Sequence, residues 1–305
     1  MKPKHQGGYD AEHTDFCERT LVTLLRGLGP WKKSAYLIGG LVPRYLIGHP
    51  AEAPAPHIGT TDVDIVLDLA VLADVEAYRR LEENLRGMGF DRGKNDEGRI
   101  QHHRLVRQIT EGVTVVLDLL CDVPDREGSR LVKLSGDARG LSAIEIPGAH
   151  LVFSDYIAVS ITAELLDEKG VATEVIRVAG IAPFVLLKAL AYEDRAEEKD
   201  AYDLVYTIAN YKGGPKAVGN VFADRANRSG IDRVLFDRAV AALRNRFASD
   251  EKSEGHRKDG PTSYARFLTD PARTEQDSLN RRNASAVIEE FLAHYSSSVT
   301  RDNEV

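Results

Sequence analysis

Two aspartates, Asp62 and Asp64, sit inside the β-branched run Thr60-Thr61-Asp62-Val63-Asp64-Ile65-Val66-Leu67. On a strand, residues two apart share a face, so both carboxylates point one way while Val63, Ile65 and Leu67 point into a core. Two like charges aimed at one spot repel unless a cation lies between them. A hard divalent ion such as Mg²⁺ suits the pair, because it takes oxygen ligands and completes its shell with water and substrate phosphates. A third acid, Asp118, interrupts the apolar run Val113-Thr114-Val115-Val116-Leu117-Asp118-Leu119-Leu120. If that strand lies beside the first, Asp118 can join the metal cluster or take the proton of an attacking hydroxyl. Two metals about 3.5–4 Å apart would then stabilise both the attacking and the leaving oxygen of an in-line phosphoryl displacement.

Ahead of these acids, the strand Ala35–Ile38 runs into Gly39-Gly40 and opens a helix over Leu41 to Ile47. Paired glycines let backbone N–H groups approach a triphosphate closely, although Gly-Gly is equally a common turn. Downstream, Lys188, Tyr192, Arg195 and Lys199 fall at i, i+4, i+7 and i+11, one polar stripe of a helix. Facing the carboxylates, Lys188 would stabilise charge on a leaving pyrophosphate. Asp200 and Asp203 would orient Lys188 or Arg195, or contact the base or ribose. Plainer readings compete: Lys188 as a surface lysine, and Asp200 with Asp203 as a helix N-cap and a first-turn acid. His102 and His103 adjoin on a strand and so face opposite ways, which makes one of them structural. Arg99, Arg104 and Arg107 read equally as a solvated face or as a grip on an RNA backbone.

Taken in order, Gly39-Gly40, Thr61-Asp62-Val63-Asp64 and a strand-borne Asp118 resemble the nucleotidyltransferase superfamily of the DNA polymerase β type. The stretch Leu186 to Arg195, followed by Lys199-Asp200-Ala201-Tyr202-Asp203-Leu204, resembles the AbiEii/AbiGii group of abortive-infection nucleotidyltransferase toxins. In that group a Lys-containing helix and an (Arg/Lys)-Asp-x-x-Asp-Leu motif follow the catalytic sheet. His102-His103-Arg104 is similar to that group as well, and the resemblance covers residues 35 to 210. It implies an α+β fold: a polymerase β-like mixed sheet with flanking helices, followed by a helical C-terminal domain. It also implies a Mg²⁺-dependent enzyme (Mn²⁺ as substitute) that moves NMP from an NTP to an acceptor hydroxyl and releases pyrophosphate. The biological role implied is the toxin of a bacterial type IV toxin–antitoxin or abortive-infection system. Its acceptor would be tRNA or another RNA, and its partner a cognate antitoxin.

Carried over residue by residue, the catalytic set is Asp62, Asp64, Asp118 and Lys188, with the three aspartates as metal ligands. The nucleotide-binding set is Gly39, Gly40, Thr61, Arg44, Lys188, Arg195, Asp200 and Asp203. Two departures stand out. Gly-Gly replaces the Gly-Ser of many relatives, which removes a hydroxyl from the phosphate site. Where many relatives carry an arginine shortly before Asp-x-Asp, this chain has His57 and Ile58, with Arg44 as the candidate replacement. Two other functions fit the same chemistry or fold: a small-molecule nucleotidyltransferase of the aminoglycoside-modifying kind, and a degenerate nucleotidyltransferase fold acting as a binding or regulatory module.

The elements that must position these residues divide the chain into a mixed α/β part, 1–182, and a helical part, 183–305. Helices are expected over Thr14 to Leu28, Leu72 to Met88, around Phe184 to Ala191, Ile231 to Leu243 and Leu279 to Tyr295. Strands are expected over Asp62 to Leu69, Ile100 to Gln108 and Val113 to Val123, and within Ala143 to Ile181. The proline-rich stretch His49 to Gly59 and the charged stretch Asp250 to Ser263 read as loops. The 305 residues hold 40 Lys and Arg against 47 Asp and Glu, a net charge of −7, which excludes coating of nucleic acid by bulk charge. Two cysteines cannot build a disulfide framework and fit a reducing cytosol. A polar N-terminus without a following apolar run argues against secretion, and no apolar run is long enough to span a membrane. A cytoplasmic protein is expected.

Overall fold

Alternation of apolar and polar residues along short β-branched runs builds the first unit, residues 10–45 and 59–180. The computed structural model describes residues 5–9, 11–48, 56–69, 75–95, 97–110, 113–122, 131–134, 140–268 and 274–302. In chain order the first unit contains α1 (Ala11–Leu28), β1 (Ala35–Ile38), α2 (Val42–Ile47), β2 (Asp62–Leu67), α3 (Val75–Gly87), β3 (Asp91–Lys94), β4 (Ile100–Thr110), β5 (Val113–Cys121), β6 (Leu131–Lys133), β7 (Ser142–Glu145), β8 (Tyr156–Glu164) and β9 (Val171–Ala179). The last residues of α2 belong to the second unit. These strands form one mixed sheet in the order β3-β4-β5-β2-β1-β9-β8, with β7 paired to the end of β5 and β6 to β7.

The register decides which side chains share a face. β2 runs parallel to β5, with Val63 opposite Leu117 and Ile65 opposite Leu119. Leu105 of β4 extends this layer as the partner of Leu117. All five are buried, and they anchor one face of the sheet. α1 packs on β2, β5, β8 and β9, burying Cys17, Leu21, Val22, Leu24, Leu25 and Leu28. Each large aliphatic side chain withdrawn from water in this way is worth about 1.5–3 kcal/mol before entropy is counted. The opposite face of β2 carries Asp62 and Asp64, followed by the buried Val66.

The second unit comprises the described parts of residues 1–9, 46–58 and 181–305. Its helices are α4 (Ile181–Arg195), α5 (Glu198–Asn210), α6 (Gly214–Arg228), α7 (Arg233–Phe247), α8 (Asp259–Leu268) and α9 (Thr274–Asp302). The units thus divide just ahead of the expected boundary, and two early segments belong with the helices rather than the sheet. No helix among the described residues is long and apolar enough to cross a membrane.

Several expectations are corrected. The loop expected over Asp250 to Ser263 gives way to α8 from Asp259 onward, with Gly260, Pro261, Ser263, Ala265 and Phe267 buried. A Cβ on Gly260 would come within 2.6 Å of the Phe247 ring, so the glycine serves close packing. The polar stripe from Lys188 to Lys199 is not one helix face. α4 ends at Arg195, Ala196 has φ +50°, and Lys199 stands on α5. Helix α6 was not anticipated at all. The helix start at Leu72, the strand end at Val123 and most of the loop after His49 lie outside the described residues.

Phe222 of α6 gathers Phe236, Phe291 and Tyr295 at centroid distances of 4.9, 5.4 and 5.7 Å. This cluster exists because α6 and α9 approach at Gly219, where a Cβ would stand 2.6 Å from the Phe291 carbonyl. Replacing a helical glycine with alanine ordinarily stabilises by about 1 kcal/mol. Here the contact is with backbone and cannot yield cheaply. Gly219→Ala is therefore expected to destabilise by roughly 1–3 kcal/mol, read as a lowered midpoint of thermal or urea unfolding.

Candidate active site

The carboxylate face is assembled by register. Asp64 of β2 stands directly opposite Asp118 of β5, and Ile38 of β1 stands opposite Asp64 on the other side. Asp62 and Asp118 are buried and Asp64 is half-buried. The loop into β2 is tied down by α1: Thr60 N–H donates to Thr14 Oγ1 at 3.2 Å, and the Cys17 thiol lies 3.6 Å from the Thr60 carbonyl. Thr60 Oγ1 accepts from the Asp62 N–H at 3.2 Å, and Thr61 Oγ1 lies 3.4 Å from Asp62 Oδ1. Burial pushes the Cys17 thiol far above its ordinary value, and the charges of Asp62 and Asp64 push it further.

Gly39 is required here by contact as well as conformation. Its φ is +77°, and a Cβ at that position would lie 1.9 Å from Asp64 Oδ2. The backbone after β1 thus presses on the carboxylate of the central acid. Gly40 is buried beside it. The helix that follows, α2, has only six residues, so an extended helix dipole is not part of this site.

Arg104 belongs to the same face as the acids. It stands opposite Asp118 in the antiparallel pairing of β4 with β5. Its guanidinium forks onto that carboxylate, Nε to Oδ1 at 2.7 Å and Nη2 to Oδ2 at 2.6 Å. Hydrogen bonding to Asp118 holds the Arg104 pKa above its already high value, with Asp62 and Asp64 contributing. Arg107 has the opposite parity on β4 and pairs with Asp167, and Arg99 pairs with Glu97. The three arginines therefore do not form one track. Arg44 is held by α1, 3.0 Å from Glu18 and 3.5 Å from Asp15, while the Tyr45 hydroxyl donates to Glu18 at 2.6 Å.

The helical unit holds a second cluster. Lys188 of α4 donates to Asp200 at 2.8 Å and to Asp203 at 2.7 Å, and Arg195 Nε donates to Asp200 at 2.6 Å. Asp203 is also bound by Lys199 and, at 2.8 Å, by His57 Nε2. Lys188, Asp200 and Asp203 are all buried. Burial lowers the Lys188 pKa, but Asp200 and Asp203 outweigh it and hold that pKa above the ordinary lysine value. The cations in turn hold Asp200 and Asp203 ionised below the usual carboxylate range despite burial. Both aspartates thus bind Lys188, and Asp200 also binds Arg195. The N-cap reading of Asp200 falls, because Glu197 occupies the cap of α5.

Among the described residues, no group of three or more His, Cys, Asp or Glu side chains is gathered closely enough to hold a metal ion. At the carboxylate face Asp118 is turned onto Arg104. The donor set still suits a hard cation: Asp62 and Asp64 supply oxygens from one face, and Mg²⁺ commonly takes one or two carboxylates with phosphates completing its shell. No protein-family model matches the chain, and no curated protein is significantly similar to it.

His57 gives the helical cluster a pH signature. Burial, with Lys199 nearby, lowers its pKa from 6.5 to about 4 against the pull of Asp203. Across that window the unfolded chain takes up a proton that the folded chain refuses, so stability falls as pH falls. The loss amounts to ~3 kcal/mol at most. Melting temperature measured from pH 7 to pH 4 should decline for the wild type, and His57→Gln should flatten the decline between pH 6.5 and 4. Identical slopes for both proteins would contradict a neutral, buried His57.

Proposed function

We propose that this chain is a Mg²⁺-dependent nucleotidyltransferase that moves NMP from an NTP to an acceptor hydroxyl and releases pyrophosphate. The observation that carries the reading is the pairing of Asp64 with Asp118 on the face that also bears Asp62, with the Gly39 backbone against Asp64. Such an arrangement is costly for a fold unless cations balance it. Asp62 and Asp64 would hold the divalent ion, with Asp118 as a third ligand or as proton acceptor. When bound, the ion neutralises charge on the phosphates and draws the α-phosphorus toward attack.

This chain's own residues would do the rest. The acceptor oxygen bonds to the α-phosphorus as the bond from that phosphorus to the bridging oxygen breaks, and pyrophosphate leaves with the electron pair. The hydroxyl proton passes to a carboxylate oxygen, for which Asp118 is the candidate. Gly39 and Gly40 allow the backbone to lie close to the phosphates. The family resemblance supports a finer reading, in which the acceptor is tRNA or another RNA and the chain is the cytoplasmic toxin of a toxin–antitoxin pair.

The test is transfer of label. With Mg²⁺, each α-labelled NTP in turn and total RNA, the wild type should label an acceptor. Asp64→Asn should lose activity by on the order of 10³-fold. Gly39→Ala, which forces a Cβ into Asp64, should lose on the order of 10²-fold while keeping its circular dichroism spectrum. Wild type and Asp64→Asn behaving alike across all acceptors would refute the reading.

A further inference from the structure

Arg104 has no part in the reaction as described, yet it stands beside Asp118 on the carboxylate face. Its guanidinium makes a two-pronged contact with Asp118, the geometry that serves a phosphate as well as a carboxylate. The two partners differ in access: the Arg104 side chain is 34% exposed and the Asp118 side chain 8%. The arginine is thus reachable from solvent while the acid beneath it is not.

The neighbouring strand makes room for this side chain. The pairing of β3 with β4 shifts register between Arg92 and Gly93. A Cβ on Gly93 would come within 2.8 Å of Arg104 Cγ, so any larger residue there would crowd the arginine stem. The bulge and the glycine keep open the surface on which Arg104 lies. Such bulges commonly re-aim a side chain beside a site.

Charge points the same way. One guanidinium faces three carboxylates, and a metal-bound triphosphate would add anionic oxygens that need a planar, two-pronged donor. No arginine stands just ahead of Asp62, where His57 and Ile58 are found, and Arg44 is held by Glu18 and Asp15. We propose that Arg104, which forks onto Asp118, is a triphosphate-binding residue, and that a metal-bound nucleotide draws the guanidinium from carboxylate to phosphate and so releases Asp118. The proposal rests on the nucleotidyltransferase reading. It adds the residue that grips the phosphates and a reason why Asp118 is available only when nucleotide is present.

Binding, rather than turnover, tests it. Mn²⁺ alone can be titrated by electron paramagnetic resonance, and the four α,β-methylene NTP analogues by calorimetry with and without Mn²⁺. Arg104→Gln should bind Mn²⁺ alone about tenfold more tightly, because Asp118 is freed. It should bind the preferred analogue with Mn²⁺ about 10- to 100-fold more weakly. Arg104→Lys, which keeps the charge but loses the fork, should fall between. Asp118→Asn should do the reverse of Arg104→Gln, binding the analogue without metal more tightly because the guanidinium is released. That gain keeps the proposal testable if removing Arg104 unfolds the sheet, and it should shrink when Arg104→Lys is added to Asp118→Asn, whereas a gain due to the lost Asp118 charge alone would persist. Wild-type binding of the analogue with unchanged affinity in Arg104→Gln would overturn this proposal and leave the nucleotidyltransferase reading standing. Failure of the wild type to bind any analogue with Mn²⁺ would overturn both.

Discussion

Like charges brought together on one face of a β-sheet set the terms for the sheet unit. Asp62 and Asp64 share a face because strand side chains alternate, and parallel pairing with β5 adds Asp118 across from Asp64. Repulsion among three half-buried or buried carboxylates opposes folding, so the surrounding structure must supply positive charge or leave room for it. Arg104 supplies part, through a fork that engages one acid only. The rest of the unit is consistent with this arrangement. The aliphatic layer of Val63, Ile65, Leu105, Leu117 and Leu119 fixes the register, since a slip of one residue would turn every carboxylate into the core. Gly39 keeps the backbone against Asp64 where any side chain would collide.

The helical unit resolves a similar problem by complete pairing. Lys188, Arg195 and Lys199 surround Asp200 and Asp203, and His57 completes the shell as a neutral partner. Such buried pairs add little net stability over an apolar core, but removing one member strands the others and costs on the order of 3–5 kcal/mol. The two clusters therefore differ in kind. In one, each aspartate is bound by at least two basic side chains; in the other, a guanidinium forks onto Asp118.

Much of the sheet was legible because strand signals are local. The alternation around Asp62 and Asp64, the apolar run around Asp118 and the helix before Gly29 need only short-range patterns, and each appears as an element. What pairs with what is a long-range matter. Arg104 read as one of three interchangeable basic residues until the β4–β5 register set it on Asp118 and turned Arg107 away. Its one available signal was parity: Arg104 and Arg107 are an odd number of residues apart and so belong to opposite faces. Helix α8 was hidden because the stretch from Asp250 to Ser263 is charged and glycine-containing with few apolar residues, while the packing of Gly260 on Phe247 is invisible in the chain. The stripe from Lys188 to Lys199 failed for a local reason, the left-handed Ala196, which carries no glycine to announce it.

The central claim is that Asp62 and Asp64 hold a divalent cation together with a nucleotide triphosphate. Anomalous diffraction from crystals grown with Mn²⁺ and a non-hydrolysable NTP addresses it most directly. The expected result is an anomalous peak about 2.1 Å from carboxylate oxygens of both Asp62 and Asp64, with phosphate density completing its shell. Ordered nucleotide elsewhere on the protein, or a carboxylate face without an anomalous peak at saturating Mn²⁺, would contradict it.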